Sequence, residues 1–191
     1  MSKGRLEAFS DGVFAIIITI MVLELSVPHE KTLAALAPLI PKFLSYVLSF
    51  IYVGIYWNNH HHLLQAVKQI DGRVLWANLH LLFWLSLVPF ATGWMGENDF
   101  ASLPVALYGV VLLLAAISYT ILVRTLLAVH DKDSLLAEAV GSDTKGKISL
   151  VLYCCAVPFA FVNSMISLLL YITVAIIWFI PDQRIERRFK G

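Results

Sequence analysis

The chain has 191 residues, of which 59% are hydrophobic and only 14% charged, with a formal net charge of +1 and a mean hydropathy of +0.79. Soluble domains carry about a quarter charged residues and at most about half apolar ones, so this balance excludes an ordinary soluble domain and describes an integral membrane protein with several spans. A spanning helix takes about 20 mostly apolar residues, which leaves room for about six.

The first apolar stretch covers about residues 6–25 and ends before Pro28. Its threshold is charged: Arg5, Phe9, Ser10 and Asp11 run directly into the apolar run from Ala15 to Leu23. Charged groups at that depth cost free energy unless they are paired or functional. Asp11 in the leading turn, and the lack of a small-x-small site after the apolar run, argue against a cleavable signal peptide. The segment is expected to be a retained span. The second span is expected over about 41–67 and turns polar at Trp57-Asn58-Asn59-His60-His61-His62. The third covers about 73–95, with Pro89 near its outer end, and the fourth about 103–129. A polar connection with Gly141 and Gly146 runs from His130 to Lys147. The fifth span is expected over about 148–161, a tight break at Asn163-Ser164, and the sixth span over about 165–180, followed by Pro181 and a basic tail. The whole chain, 1–191, reads as one six-span unit with no linker and no extramembrane catalytic domain.

Six spans place both termini on one side. Every Lys and Arg except Lys31 and Lys42 falls on that same side, including Lys3, Arg5, Lys68, Arg73, Arg124 and the C-terminal cations. The positive-inside rule assigns it to the cytoplasm. Trp94 is expected to anchor the outer interface, and Trp57 and Trp76 the inner one. Arg124 is placed to snorkel, and Pro89 and Pro158 to kink their helices. Cys154 and Cys155, adjacent in an apolar run, are expected to be small buried side chains rather than a disulfide.

Within the first helix, Ile16, Thr19, Ile20 and Leu23 share one face by their i, i+3, i+4, i+7 spacing, and Asp11 points almost opposite. The helix is apolar all round, so pattern alone reads equally as an ordinary core helix, with Thr19 bonded back to its own backbone. Glu24, near the outer end, suits either a carboxylate ring that concentrates cations or an interfacial charge paired with Lys31 or water. In the polar cluster, Asn58, His61 and His62 project to one side, as do Asn78 and, less well, His80 on the next span. Consecutive histidines fan out by about 100° each, which argues against a shared metal ion, so no metal is expected. Histidine titrates near neutrality, which leaves a pH-sensing role open. No Ser-His-Asp set, paired mid-membrane carboxylates or phosphate-cradling loop appears, so no enzyme is expected.

The segment Arg5-x-x-x-Phe9-Ser10-Asp11 resembles the first-helix signature of the transmembrane-protein-175 family of potassium channels. The resemblance extends to the His60–His62 and Asn78–His80 regions. It implies a homotetramer whose first helices line a central pore in the bilayer. Ile16 then corresponds to the family's hydrophobic constriction, Thr19 to a threonine favouring potassium over sodium, and Ile20 and Leu23 to further apolar rings. It also implies that Arg5, Phe9, Ser10 and Asp11 pack against polar residues of spans two and three, among them Trp57, His61, His62 and Asn78, with a buried Asp11 bonded to histidine or tryptophan and asparagine. No Thr-Val-Gly-Tyr-Gly-like carbonyl filter is present. An apolar ring gates by dewetting and favours the ion that sheds water more readily, which is potassium over sodium. The implied function is a potassium-permeable leak channel that also passes some protons, from a prokaryotic plasma membrane. Monovalent cations are the permeant species, and no cofactor or nucleic acid is expected. The alternative is a small secondary transporter or metal permease using Asp11 and His60–His62.

Overall fold

The computed structural model describes residues 2–130, 136 and 143–179. In chain order the elements are α1 (Lys3–Leu23), a short 3-10 helix η1 (Leu33–Leu39), α2 (Ile40–Gln65), α3 (Gly72–Ser86), α4 (Val88–Glu97), α5 (Ser102–Val129), α6 (Thr144–Phe159) and α7 (Ser164–Phe179). Among the described residues there is no strand. Among the described residues, four segments are long and apolar enough to cross a bilayer: α1, η1 with α2, α3 with α4, and α5. α6 and α7 have 16 residues each, about 24 Å of helix at 1.5 Å per residue. The basic tail, Pro181 and most of the His130–Lys147 connection lie outside the described residues.

Local chemistry sets the boundaries. α3 and α4 form one segment interrupted at Leu87, two residues before Pro89. Proline has no N–H to offer the carbonyl four residues back, and here the Leu87 N–H has already tightened onto the Trp84 carbonyl at 3.2 Å. Pro158 sits one residue before α6 ends. Asn163 caps α7 by accepting from the Met165 N–H at 2.9 Å. Gly146 is part of the first turn of α6 rather than a loop breaker. Its N–H donates to the Asp143 carboxylate at 3.2 Å, and a Cβ there would collide with that carboxylate. The 3-10 helix η1 precedes the start expected for the second span at about residue 41, and none of its residues is buried.

α5 is the centre of the bundle, with α3 and α4 on one side and the α6–α7 hairpin on the other. Among the described residues α1 packs chiefly against α2, α3 and α4. A cluster of buried tyrosines ties the centre together: Tyr52, Tyr108, Tyr153 and Tyr171 are each at most 2% exposed. The Tyr52 hydroxyl donates to the Tyr171 carbonyl at 2.5 Å, and the Tyr171 hydroxyl donates to the Val105 carbonyl at 3.2 Å. The hydroxyls of Thr92, Ser49 and Tyr108 form a second chain across α4, α2 and α5, with steps of 2.7 and 3.0 Å. Hydrocarbon offers no water to satisfy such groups, and the Tyr52, Tyr108 and Tyr171 hydroxyls are each hydrogen-bonded within the bundle. Cys154 and Cys155 contradict their expected burial. Both are exposed, because α6 packs through Tyr153, Ala156 and Ala160 and its other faces turn outward.

Two glycines set helix spacing. A Cβ on Gly109 would run into the ring and hydroxyl of Tyr171, and one on Gly96 would meet the Ser45 hydroxyl and the Lys42 backbone. Gly109→Val is therefore expected to cost about 1–3 kcal/mol by overpacking. Gly54→Ala, where a Cβ meets nothing within 4 Å, is expected to leave stability unchanged or slightly raised. Thermal unfolding of both purified variants in one detergent checks the pair.

Candidate functional site

α1 has two sides. Leu6, Ser10, Phe14, Ile17 and Met21 are buried against the rest of the chain. Opposite them Arg5, Phe9, Gly12, Ile16, Thr19, Ile20 and Leu23 are all exposed. These outer residues recur at steps of three and four, so they make one continuous stripe along the helix. Ile16 is 59% exposed, Ile20 42% and Leu23 75%. The Thr19 hydroxyl donates to the Ala15 carbonyl at 2.9 Å. Its proton is thereby used, so any further hydrogen bond to this hydroxyl is one it accepts.

The inner side is fastened by polar contacts near the start of α1. The Asn78 side-chain amide on α3 donates to the Ser10 hydroxyl at 3.0 Å, and Ser10 donates to the Leu6 carbonyl at 2.8 Å. The other end of Asn78, Oδ1, lies 2.7 Å from His60 Nε2 on α2. Ser10 and Asn78 are fully buried and His60 is 1% exposed. The ring of Phe14 covers His60 at 5.6 Å between centroids. One asparagine thus joins three helices, with both ends of its amide satisfied. Beside this chain, Trp57 Nε1 on α2 donates to the Asp11 carboxylate at 2.9 Å, and His61 stacks on Trp57 at 5.8 Å. Lys3 reaches the carbonyl of Gln65, the last residue of α2, at 3.4 Å and pairs with Glu7 at 3.7 Å.

The geometry departs from the expected packing at three points. The histidine in the buried chain is His60, whereas His61 contacts Gln65 of its own helix at 2.8 Å. His62 Nδ1 is buried without a partner among the described residues. A 100° step between neighbours lets only one of three consecutive histidines face α1 and α3. Asp11 is held by Trp57 but is exposed rather than buried, and Asn78 serves Ser10 in its place. Arg5 and the 51%-exposed Phe9 lie on the outer stripe and do not join the packing within the chain. His80 accepts from Trp84 Nε1 at 3.0 Å on the exposed side of α3.

Glu24 lies in a crevice between α1, α2 and α4 that also holds Met21, Ser45, Thr92, Lys42 and Glu97. Lys42 is bonded to Glu97 at 2.9 Å, and Glu24 has no ion pair with Lys31 or any other described residue. Its carboxylate lies beside Gly93, where an added Cβ would come within 3.9 Å of Oε2. Among the described residues, no three His, Cys, Asp or Glu side chains are grouped to hold a metal.

The model of the family described as "Endosomal/lysosomal potassium channel TMEM175" matches residues 5–89, the region that contains Ser10, Asp11, Trp57, His60 and Asn78. A protein of Chryseobacterium sp. (strain P1-3), named a potassium channel, is 56% identical over 190 residues, covering 100% of this chain and 99% of that one. The mouse protein named an endosomal/lysosomal proton channel, TMEM175, is 36% identical over 103 residues, or 48% of this chain and 21% of its own length. Among solved structures, the lysosomal potassium-selective channel TMEM175 homolog from Chamaesiphon minutus superposes with a TM-score of 0.81 at 31% identity, covering 92% of this chain and 95% of that one. By its near-complete match to a relative, its fold and the signature on α1, this chain belongs to the TMEM175 family.

Proposed function

We propose that this chain forms a potassium-permeable leak channel, a homotetramer in which four copies of α1 line the pore and Ile16 makes the narrowest ring. The observation that carries the reading is the division of α1. Its polar start is fastened inward by Asn78 and Trp57, while the stripe through Ile16, Thr19, Ile20 and Leu23 is left uncovered by its own chain. That stripe also carries Arg5 and Thr19, and on another side of the helix Asp11 is exposed, held by Trp57. Such groups are costly against lipid and are accommodated against neighbouring copies or a water-filled passage. The names of the Chryseobacterium and mouse relatives support potassium and proton permeation.

The physics of the ring follows. Branched aliphatics at Ile16 offer an ion no ligands, so the ring acts as a dewetting barrier. Thr19, one turn further, presents acceptor oxygens that replace part of the lost hydration. Ile20 and Leu23 continue the apolar lining. Glu24 stands in its own crevice beside α4, so it tunes the field at the outer mouth rather than binding the ion. The distribution of Lys and Arg supports cytoplasmic termini, and the bacterial relative supports a prokaryotic plasma membrane. A metal permease reading lacks a ligand set among the described residues.

Purified protein in planar bilayers under potassium and sodium gradients tests the proposal: discrete single-channel currents are expected, and saturable flux without unitary currents overturns it. Ile16→Asn is expected to raise unitary conductance by wetting the constriction, and unchanged current would move the barrier elsewhere. Thr19→Val keeps the shape and removes the hydroxyl. It is expected to reduce potassium preference by about fivefold, the equivalent of ~1 kcal/mol, with reversal potentials as the readout. Asn78→Leu leaves His60 and Ser10 without their buried partner at a cost of about 1–3 kcal/mol. Its expected signature is less folded protein by gel filtration, with unchanged selectivity in what remains.

A further inference from the structure

His130, the residue that ends α5, bridges to a part of the chain 62 positions away. Its Nε2 accepts the backbone N–H of Lys68 at 3.1 Å and of Gln69 at 3.4 Å, in the connection between α2 and α3. Its Nδ1 lies 2.8 Å from the Leu126 carbonyl. A carbonyl only accepts, so Nδ1 carries the proton. Two N–H groups only donate, so Nε2 carries none. The contact therefore selects one neutral tautomer of the imidazole. A proton on Nε2 would set a third N–H against the other two, and the bridge would open.

The connection that His130 grips has no helical structure of its own from Val67 to Asp71. It links the two helices that fasten α1. α2 supplies Trp57 and His60, and α3 supplies Asn78. The charged side chains of the elements meeting at this corner are Lys68 and Asp71 on the connection, Arg73 in the first turn of α3, Arg124 on α5, and Lys3, which caps the end of α2. Asp131, next in sequence, lies outside the described residues. The Asp71 carboxyl is held below the usual carboxylate range by the Val74 N–H and then by Arg73, which is bonded to it at 2.8 Å. It stays charged through the range in which histidine titrates, so its own bonds do not change there.

We propose that His130 is a positioning residue, a proton-released latch by which α5 holds the α2–α3 connection and, through it, the seat of α1. The latch is closed while the imidazole is neutral, with Nε2 accepting from Lys68 and Gln69, and opens when Nε2 takes up a proton. This deepens the channel reading for its functional consequence, whereas the latch itself is independent of what the pore conducts.

The test follows backbone hydrogen exchange in residues 66–71 by mass spectrometry, on the assembled protein in lipid nanodiscs, corrected for the intrinsic pH dependence of exchange. In the wild type, protection of Lys68 and Gln69 is expected to fall about tenfold from pH 8 to pH 5, the ratio carried by one lost net hydrogen bond. His130→Gln supplies an acceptor that takes up no proton, so protection should stay high and flat across pH. His130→Leu should be unprotected at every pH, with exchange in mid-α5 peptides reporting that the bundle remains folded. Flat wild-type protection, or full protection in a folded His130→Leu, overturns the latch. Potassium flux into liposomes, measured over the same range, is expected to change with the same midpoint in the wild type and to lose that dependence in His130→Gln. An intact latch in the exchange data with identical pH profiles of flux in both proteins overturns the positioning role. No flux from any variant at any pH refutes the channel reading instead, and the exchange data still decide the latch.

Discussion

Asn78 is the contact on which the arrangement of α1 depends. A primary amide has a donor end and an acceptor end, and inside a bilayer neither finds water. Here the donor end meets Ser10 and the acceptor side meets His60, so one side chain registers α1 against α3 and α2 together. Moving α1 by one residue would rotate Ser10 by about 100° away from this partner. The rest of α1 follows from that register. Phe14, Ile17 and Met21 are buried because they lie above Ser10 on the same side, and the stripe through Ile16 is exposed because it lies on the other.

The same requirement, that polar groups be satisfied from within, shapes the centre of the bundle differently. Tyr52 and Tyr171 donate to backbone carbonyls and pack face to edge with their neighbours, so they fill volume and close hydrogen bonds at once. Gly109 makes room for Tyr171. α5, α6 and α7 therefore form a body held by aromatic packing, while α1 is attached through a short polar seam at one end. Both α1 and the η1–α2 segment are less enclosed by the chain than α5.

Much of this was legible in the residues. Hydropathy located the helices because apolar length is what a bilayer demands, and the spacing of Ile16, Thr19, Ile20 and Leu23 put them on one face before any fold was known. The family signature then drew attention to a stripe that looks like ordinary core. Tertiary choices were hidden. Which of three adjacent histidines turns inward depends on how α2 rolls against α3, so His60 could not be told from His61 or His62. That Arg5 and Phe9 fall outside the packing depends on which neighbours α1 has. Cys154 and Cys155 look buried by residue type, but only one face of α6 has a neighbour. The grip of His130 involves backbone amides, which carry no sequence signal.

The position of the seam near one end of α1 gives the helix the mechanics of a lever. Ser10 is the fulcrum, and the helix extends 13 residues beyond it to Leu23, about 20 Å at 1.5 Å per residue. A tilt of about 5° at the fulcrum shifts Leu23 by roughly 2 Å but Ile16, only six residues along, by less than about 1 Å. Small rearrangements around Asn78 are thus geared up with distance along the helix. The displacement grows with distance from Ser10, so for a given tilt Leu23 moves about twice as far as Ile16.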